Sequence, residues 1–180
     1  MKILLALGSS LGGARPKASA MAPDGSLWIA KFPSKNDEWD SGAWEMVAHD
    51  LAMMCKLNVP EAKLERFSAN GSTFLVKRFD RIGQKRIHFS SAMTLLRKND
   101  GDSTASYLEL VSFIKANGCE PKKDLEELFR RIVFSIAVSN SGDHLTDFAE
   151  NSPTSAGGEM NQRIQLKFIK SPIKISEQTF

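Results

Sequence analysis

Ser9-Ser10-Leu11-Gly12-Gly13-Ala14-Arg15-Pro16-Lys17, followed one strand later by Leu27-Trp28-Ile29-Ala30-Lys31-Phe32, carries the reading of this 180-residue chain. Gly12 and Gly13 open backbone angles closed to other residues, so successive N–H groups can turn toward one point. Arg15 and Lys17 place positive charge beside them. A strand bearing Lys31 then follows. Amides for phosphate oxygens, then an ammonium for the same charge, is what a nucleoside triphosphate requires. The same residues also suit a surface turn and a strand with a solvated lysine, and the stretch alone does not choose.

Outward from it, Ala18–Ala22 and Leu27–Phe32 read as paired strands around Pro23-Asp24-Gly25-Ser26. Proline sets the entry angle there, and glycine accepts a positive φ. The hairpin would lie over a ligand as a lid. Ser34–Asp40 is polar loop. From Ser41, a capping residue, Trp44, Val47, Ala48, Leu51 and Met54 recur at helical spacing and predict a core-facing stripe as far as Leu57. Met53, Met54 and Met93 read as core filler. Glu45, at the edge of the stripe, either reaches Lys31 or is a solvated helix glutamate. Ala62–Phe67 and Thr73–Phe79 read as strands about the turn Ala69–Ser72. The second runs into Lys77-Arg78-Phe79-Asp80-Arg81, either a solvated strand end or a hinge whose backbone meets an adenine.

Tyr107–Asn117 reads as a helix ended by Gly118. Lys123–Asn140 is the strongest helix, with Leu125, Leu128, Phe129, Ile132, Val133, Ile136 and Ala137 in one wide apolar stripe. It delivers Ser139-Asn140-Ser141-Gly142-Asp143-His144-Leu145-Thr146-Asp147. That loop suits metal or proton chemistry, or simply a polar cap on the helix. The character changes at Asn151–Gly158, a low-complexity linker. Arg163–Ile175 alternates apolar and basic residues, as an edge strand or a disordered tail would.

Composition narrows the function classes. A formal net charge of +3 is too mild to argue for direct nucleic-acid binding. Cys55 and Cys119 lack the spacing of a zinc site or disulfide framework, which points to a reducing, cytoplasmic setting. The apolar run within residues 1–8 is too short for a signal peptide, and nothing approaches the roughly 18 apolar residues of a membrane span.

In order, these landmarks resemble the HipA family of serine/threonine protein kinases, the toxins of bacterial toxin–antitoxin pairs. Ser10–Ala18 resembles its glycine-rich loop and Ile29-Ala30-Lys31-Phe32-Pro33 its ATP-lysine strand. Phe74-Leu75-Val76-Lys77-Arg78-Phe79-Asp80-Arg81 resembles its hinge. Arg131-Ile132-Val133-Phe134 through Asp143-His144-Leu145 resembles the helix entering its catalytic loop. The likeness covers residues 8–148 and implies an α+β, protein-kinase-like fold: an N-lobe-like antiparallel sheet with helices, then a partial helical C-lobe. Residues 1–81 would form the nucleotide-binding subdomain, 82–148 the partial C-lobe, and 149–180 a divergent tail.

The resemblance also implies roles. Ser10, Leu11, Gly12, Gly13, Ala14 and Lys17 would cradle ATP phosphates. Lys31 would hold the α- and β-phosphates, with Glu45 positioning it, and Lys77 and Phe79 would meet adenine. Ser10 falls at a regulatory, autophosphorylated serine. The implied partners are a DNA-binding antitoxin and a protein substrate from translation. The catalytic loop departs from the family: Gly142 stands where the base aspartate belongs, beside Asp143 and His144. Asp147 replaces the metal asparagine, though its carboxylate still suits Mg2+. No aspartate follows Asp147. The expectation is a truncated HipA-like member that binds ATP with impaired catalysis. The alternative is a non-catalytic module that binds an antitoxin-like or kinase partner, or the missing kinase portion, without nucleotide. The truncation predicts exposed apolar surface on the helix that carries Phe129, Ile132 and Ile136.

Overall fold

A computed structural model describes residues 2–4, 16–83, 85–99, 106–118, 120–139, 148–152 and 163–166. The chain divides into two compact units, residues 1–53 with 60–86, and residues 54–59 with 87–180.

The first unit is built on a five-stranded antiparallel sheet in the order β1-β2-β3-β5-β4. Its strands are β1 (Lys2–Leu4), β2 (Lys17–Met21), β3 (Leu27–Lys31), β4 (Ala62–Ser68) and β5 (Gly71–Lys77). The β2–β3 hairpin turns where the sequence predicts, with Gly25 at φ +80° and the Asp24 carboxylate accepting from the Ser26 N–H and hydroxyl. Alternation assigns the faces. Ala20, Trp28, Ala30 and Leu75 form one buried cluster, and the residues between them, Ile29, Lys31, Phe74 and Val76, point to the opposite face. A short hairpin of β6 (Arg81–Ile82) and β7 (Lys85–Arg86) completes the strands of this unit.

Helix α1 (Ser41–Met54) differs from its expected reading in three ways. Its cap is Asp40, not Ser41: the Asp40 carboxylate accepts from the Ala43 N–H. It ends at Met54, and Lys56 follows with φ 58°. The apolar stripe also faces outward. Trp44, Val47, Leu51 and Met54 are exposed, as is Met53, while Ser41, Gly42 and Ala52 are buried with the Glu45 and His49 side chains. The stripe Ser41, Glu45, His49, Ala52 has the same helical spacing as the apolar one. It is the one turned inward because its residues are small enough, or suitably charged, to meet the sheet.

The second unit holds β8 (His88–Ser91), α2 (Ala92–Leu95), α3 (Tyr107–Asn117), α4 (Pro121–Ala137), β9 (Phe148–Ser152) and β10 (Arg163–Leu166). Ala92, Leu110, Ile114 and Leu128 form its core, flanked by Leu96, Tyr107, Val111, Leu125 and Ile132. Ser106 and Glu109 form a capping box at the start of α3. Gly118 ends α3 with φ −73°, so it is not there for left-handed geometry. A Cβ there would lie 2.7 Å from the Ile114 carbonyl oxygen, and the chain needs glycine for that approach. Strand β10 is an edge strand in the order β10-β9-β8.

Only the inner half of the α4 stripe packs. Leu128 is buried, whereas Phe129 is 68% exposed, Val133 49% and Ile136 73%. Arg131 is buried instead, paired with Glu127 and donating to the Asn58 carbonyl. Glu127 accepts in turn from the Asn58 N–H at 3.0 Å. Among the described residues, no helix is long and apolar enough to cross a membrane.

Candidate functional site

The chemistry-bearing residues of the first unit converge where α1 meets β3 and β5. Lys31, last in β3, forms an ion pair with Glu45, one turn into α1. The two side chains are only 11% and 9% exposed. The Lys31 ammonium also lies 5.3 Å from the centroid of the Phe74 ring, its directly opposite neighbour on β5. Such a contact contributes about 0.5–2 kcal/mol. Directly opposite residues of paired strands share a face. Lys17 is opposite Lys31 on β2, so two lysines and one carboxylate belong to the same face of the sheet.

The start of α1 is fastened to the same strands. Asp40 accepts from the Ser72 N–H at 3.0 and 3.1 Å, and from the Ser72 hydroxyl at 2.7 Å. Its Oδ1 also accepts from the Ala43 N–H at 3.1 Å. Burial pushes the Asp40 carboxyl up, but the Ser72 and Ala43 hydrogen bonds and the charge of Arg66 outweigh it, and the group titrates below the ordinary aspartate value. Gly42 allows the approach: a Cβ there would lie 2.8 Å from the Ser72 carbonyl carbon and closer still to its oxygen. One turn beyond Glu45, His49 bonds the Pro60 carbonyl at 2.7 Å and packs against Phe74, ring centroids 6.2 Å apart.

The segment at the end of β5, residues 77–81, is ordered by charge. Asp80 is buried and takes a two-pronged contact from Arg78, at 2.8 and 2.7 Å, plus one from Arg81 at 2.6 Å. Burial again raises the Asp80 carboxyl, and the two guanidiniums more than reverse it, leaving its titration below the usual range. The same hydrogen bonds raise the Arg78 value against the opposing effect of burial. The Arg78 N–H donates to the Leu27 carbonyl at 2.8 Å, and the Lys77 N–H to the Glu61 carbonyl at 2.8 Å. Lys77 pairs with Trp28 in the β3–β5 register, so it belongs to the face away from Lys31, and its ammonium bonds Glu61 at 3.2 Å. The Lys77 N–H is therefore spent within the fold, and its side chain is on the other side of the sheet from the Lys31–Glu45 pair.

A model of the HipA-like C-terminal domain matches residues 9–161. The chain belongs to the HipA-like C-terminal domain family. Two solved structures share its fold. HipA of Shewanella oneidensis MR-1, from a complex with HipB and operator DNA, superposes with a TM-score of 0.66 at 17% identity, over 86% of this chain. The Helicobacter pylori proinflammatory kinase CtkA superposes with a TM-score of 0.65 at 16% identity, over 85% of this chain. The chain spans 42% of that HipA and 53% of CtkA. No curated protein matches it. The fold is thus the expected one, α+β and kinase-like, with an antiparallel sheet and helices.

Of the residues singled out from sequence, Lys17, Lys31 and Glu45 come together; Lys77 and Phe79 follow at the end of β5. Ser10, Leu11, Gly12, Gly13 and Ala14 lie outside the described residues, as do Gly142, Asp143, His144 and Asp147. Among the described residues no cluster of carboxylate, histidine and cysteine side chains suits a metal. Sequence reading missed Asp40, Gly42, Ser72, Phe74 and His49 as parts of the site. Its one signal was the run Asp40-Ser41-Gly42: an acidic cap with a glycine in the first helical turn, which costs helix stability unless something approaches closely.

Proposed function

We propose that the chain is the nucleotide-binding part of a HipA-like serine/threonine kinase, holding ATP with impaired catalysis. The observation that carries this reading is the largely buried Lys31–Glu45 ion pair, with Lys17 across the strand from Lys31. A lysine side chain is costly to bury, and among the described residues this one is bound by one carboxylate from an adjacent helix. An ammonium has three donors, so donors remain for phosphate oxygens. Lys31 would take the α- and β-phosphates, and Lys17 with the Ser10–Ala14 backbone would supply further positive charge and amides. The base would lie against the 77–79 segment, where Lys77 can contribute its carbonyl but not its N–H, which Glu61 holds.

Gly142, where the resemblance puts the base aspartate, has no side chain to accept a proton; Asp143 and His144 stand one and two positions further along the sequence. Asp147 is the candidate Mg2+ ligand. Losing the base removes much of the transition-state stabilisation. We further propose a DNA-binding, antitoxin-like partner, as the Shewanella HipA complex with HipB and DNA supports, with a translation protein as the target class. Cys55, a free and exposed thiol, suits the reducing cytoplasm.

The test is thermal. Mg-ATP at millimolar concentration raises the melting temperature, and Lys31→Ala abolishes the rise. Radiolabelled ATP should leave no phosphate on Ser10; incorporation that disappears in Asp143→Asn would show a working enzyme instead. The second reading, an interaction module without nucleotide, is favoured by one observation, the exposed Phe129, Val133 and Ile136 face of α4. A melting temperature unmoved by ATP selects it.

A further inference from the structure

We propose that Asp40 is a positioning residue: with Ser72 and Gly42 it clamps the first turn of α1 to β5 and so keeps Glu45 on Lys31. The proposal deepens the nucleotide-binding reading by naming what preassembles its lysine site.

Glu45 comes from a helix and Lys31 from a strand, so their pairing depends on where α1 sits against the sheet. The large apolar side chains Trp44, Val47 and Leu51 face outward and do not set that position. Beyond Glu45 the helix is held by His49, on the Pro60 carbonyl and the Phe74 ring, and by buried Ala52; before Glu45 the contacts are polar and lie at the helix start. Asp40 receives the Ala43 N–H from α1 with one oxygen, and both oxygens receive the Ser72 N–H. The Ser72 hydroxyl adds a third donor at 2.7 Å. One carboxylate thus joins helix to strand, and Gly42 lets the two backbones touch. Ser72 is two residues before Phe74, whose ring faces the Lys31 ammonium, so the strand that is clamped is the one that lines the pair. From Asp40 to Glu45 the helix advances little more than one turn, about 7.5 Å at 1.5 Å per residue. Over so short a lever, a shift at the clamp reaches Glu45 almost undiminished.

The clamp is tested through Lys31 itself, in the full chain, with Asp40→Asn and Ser72→Ala. Asp40→Asn replaces an acceptor oxygen with a donor that meets the Ser72 donors; Ser72→Ala removes the hydroxyl alone. The primary readout is the rate at which an amine-acylating reagent modifies Lys31, followed by peptide mass spectrometry. Wild type brought to each variant's stability with urea separates local release from general loosening. ATP affinity is measured alongside. Lys31 in Asp40→Asn should acylate about tenfold faster than in matched wild type, the factor that a hydrogen bond to a charged group carries. ATP should weaken by a similar factor, and Ser72→Ala should show a smaller change of the same sign. Wild-type acylation rates in both variants would overturn the clamp even if ATP binds. Faster acylation in both, with no ATP binding by wild type, would keep the clamp and remove the nucleotide reading.

Discussion

Replacing Lys31 and Glu45 singly and together tests whether the pair is the buried unit that the geometry describes. Lys31→Met keeps the side-chain volume and leaves the Glu45 carboxylate, 9% exposed, without its counter-charge. Glu45→Gln keeps the shape and leaves an ammonium that is 11% exposed with only an amide oxygen and the Phe74 ring. Breaking a buried pair from one side costs about 3–5 kcal/mol, because the survivor stays desolvated. The amide and the ring offset part of this for Glu45→Gln, so about 2–3 kcal/mol is expected there, and about 3–4 kcal/mol for Lys31→Met. In the double variant no charge is stranded, and the net cost should fall to about 1 kcal/mol, as when buried pairs are replaced by neutral groups of similar volume. The coupling energy is then about 4–6 kcal/mol, above the usual range of about 0.5–3 kcal/mol for neighbouring residues. Urea unfolding at pH 7, followed by circular dichroism, reads all four proteins. Single costs below about 1 kcal/mol that simply add would refute a buried, mutually dependent pair.

Other consequences follow from the same contacts. Gly42→Ala drives a methyl group into the Ser72 carbonyl, which is backbone and cannot swing aside; a loss of about 3 kcal/mol or more in urea unfolding is expected, and a loss under 1 kcal/mol would refute the close approach. Asp80 titrates below its ordinary value in the fold. Its stabilising contribution is therefore complete above the unfolded aspartate value of about 3.9 and lost as pH falls through the lower folded value. Asp80→Asn should be less stable at pH 7 and should lose less than wild type on acidification from pH 5 to 2; parallel curves would contradict the paired carboxylate. On α4, Phe129→Ser and Ile136→Ser should change stability by no more than about 0.5 kcal/mol, whereas Arg131→Ala, which strands Glu127, should cost about 3 kcal/mol. Equal costs at the three positions would mean that the outer stripe is packed after all.

What could be read from sequence divides along physical lines. The β2–β3 hairpin was legible because Pro23 and Gly25 restrict the backbone locally, and local restrictions survive into the fold. The Lys31–Glu45 pairing was legible as one of two options, since Glu45 stands at the edge of the helical apolar stripe, where a strand lysine can reach it. The direction of α1 was not. Trp44, Val47, Leu51 and Met54 keep helical spacing, but so do Ser41, Glu45, His49 and Ala52, and periodicity cannot say which stripe faces the sheet when the inward one is chosen for a site rather than for oil-like burial. Asp40 and Ser72 were invisible as partners because they are 32 positions apart and each, alone, is an ordinary polar residue of a loop or strand. On α4, Arg131 displaces Phe129 from the inside because the Asn58 carbonyl and N–H need charged partners there. That demand comes from a segment more than seventy residues earlier.

Whether the Lys31 site takes nucleotide is read by calorimetric titration of ATP into wild type, Lys31→Ala and the Lys31→Met/Glu45→Gln double variant. Wild type should bind saturably and neither variant should bind, with the double variant still folded. Absence of heat from wild type at millimolar ATP, or undiminished binding by the folded double variant, would contradict a nucleotide site at Lys31.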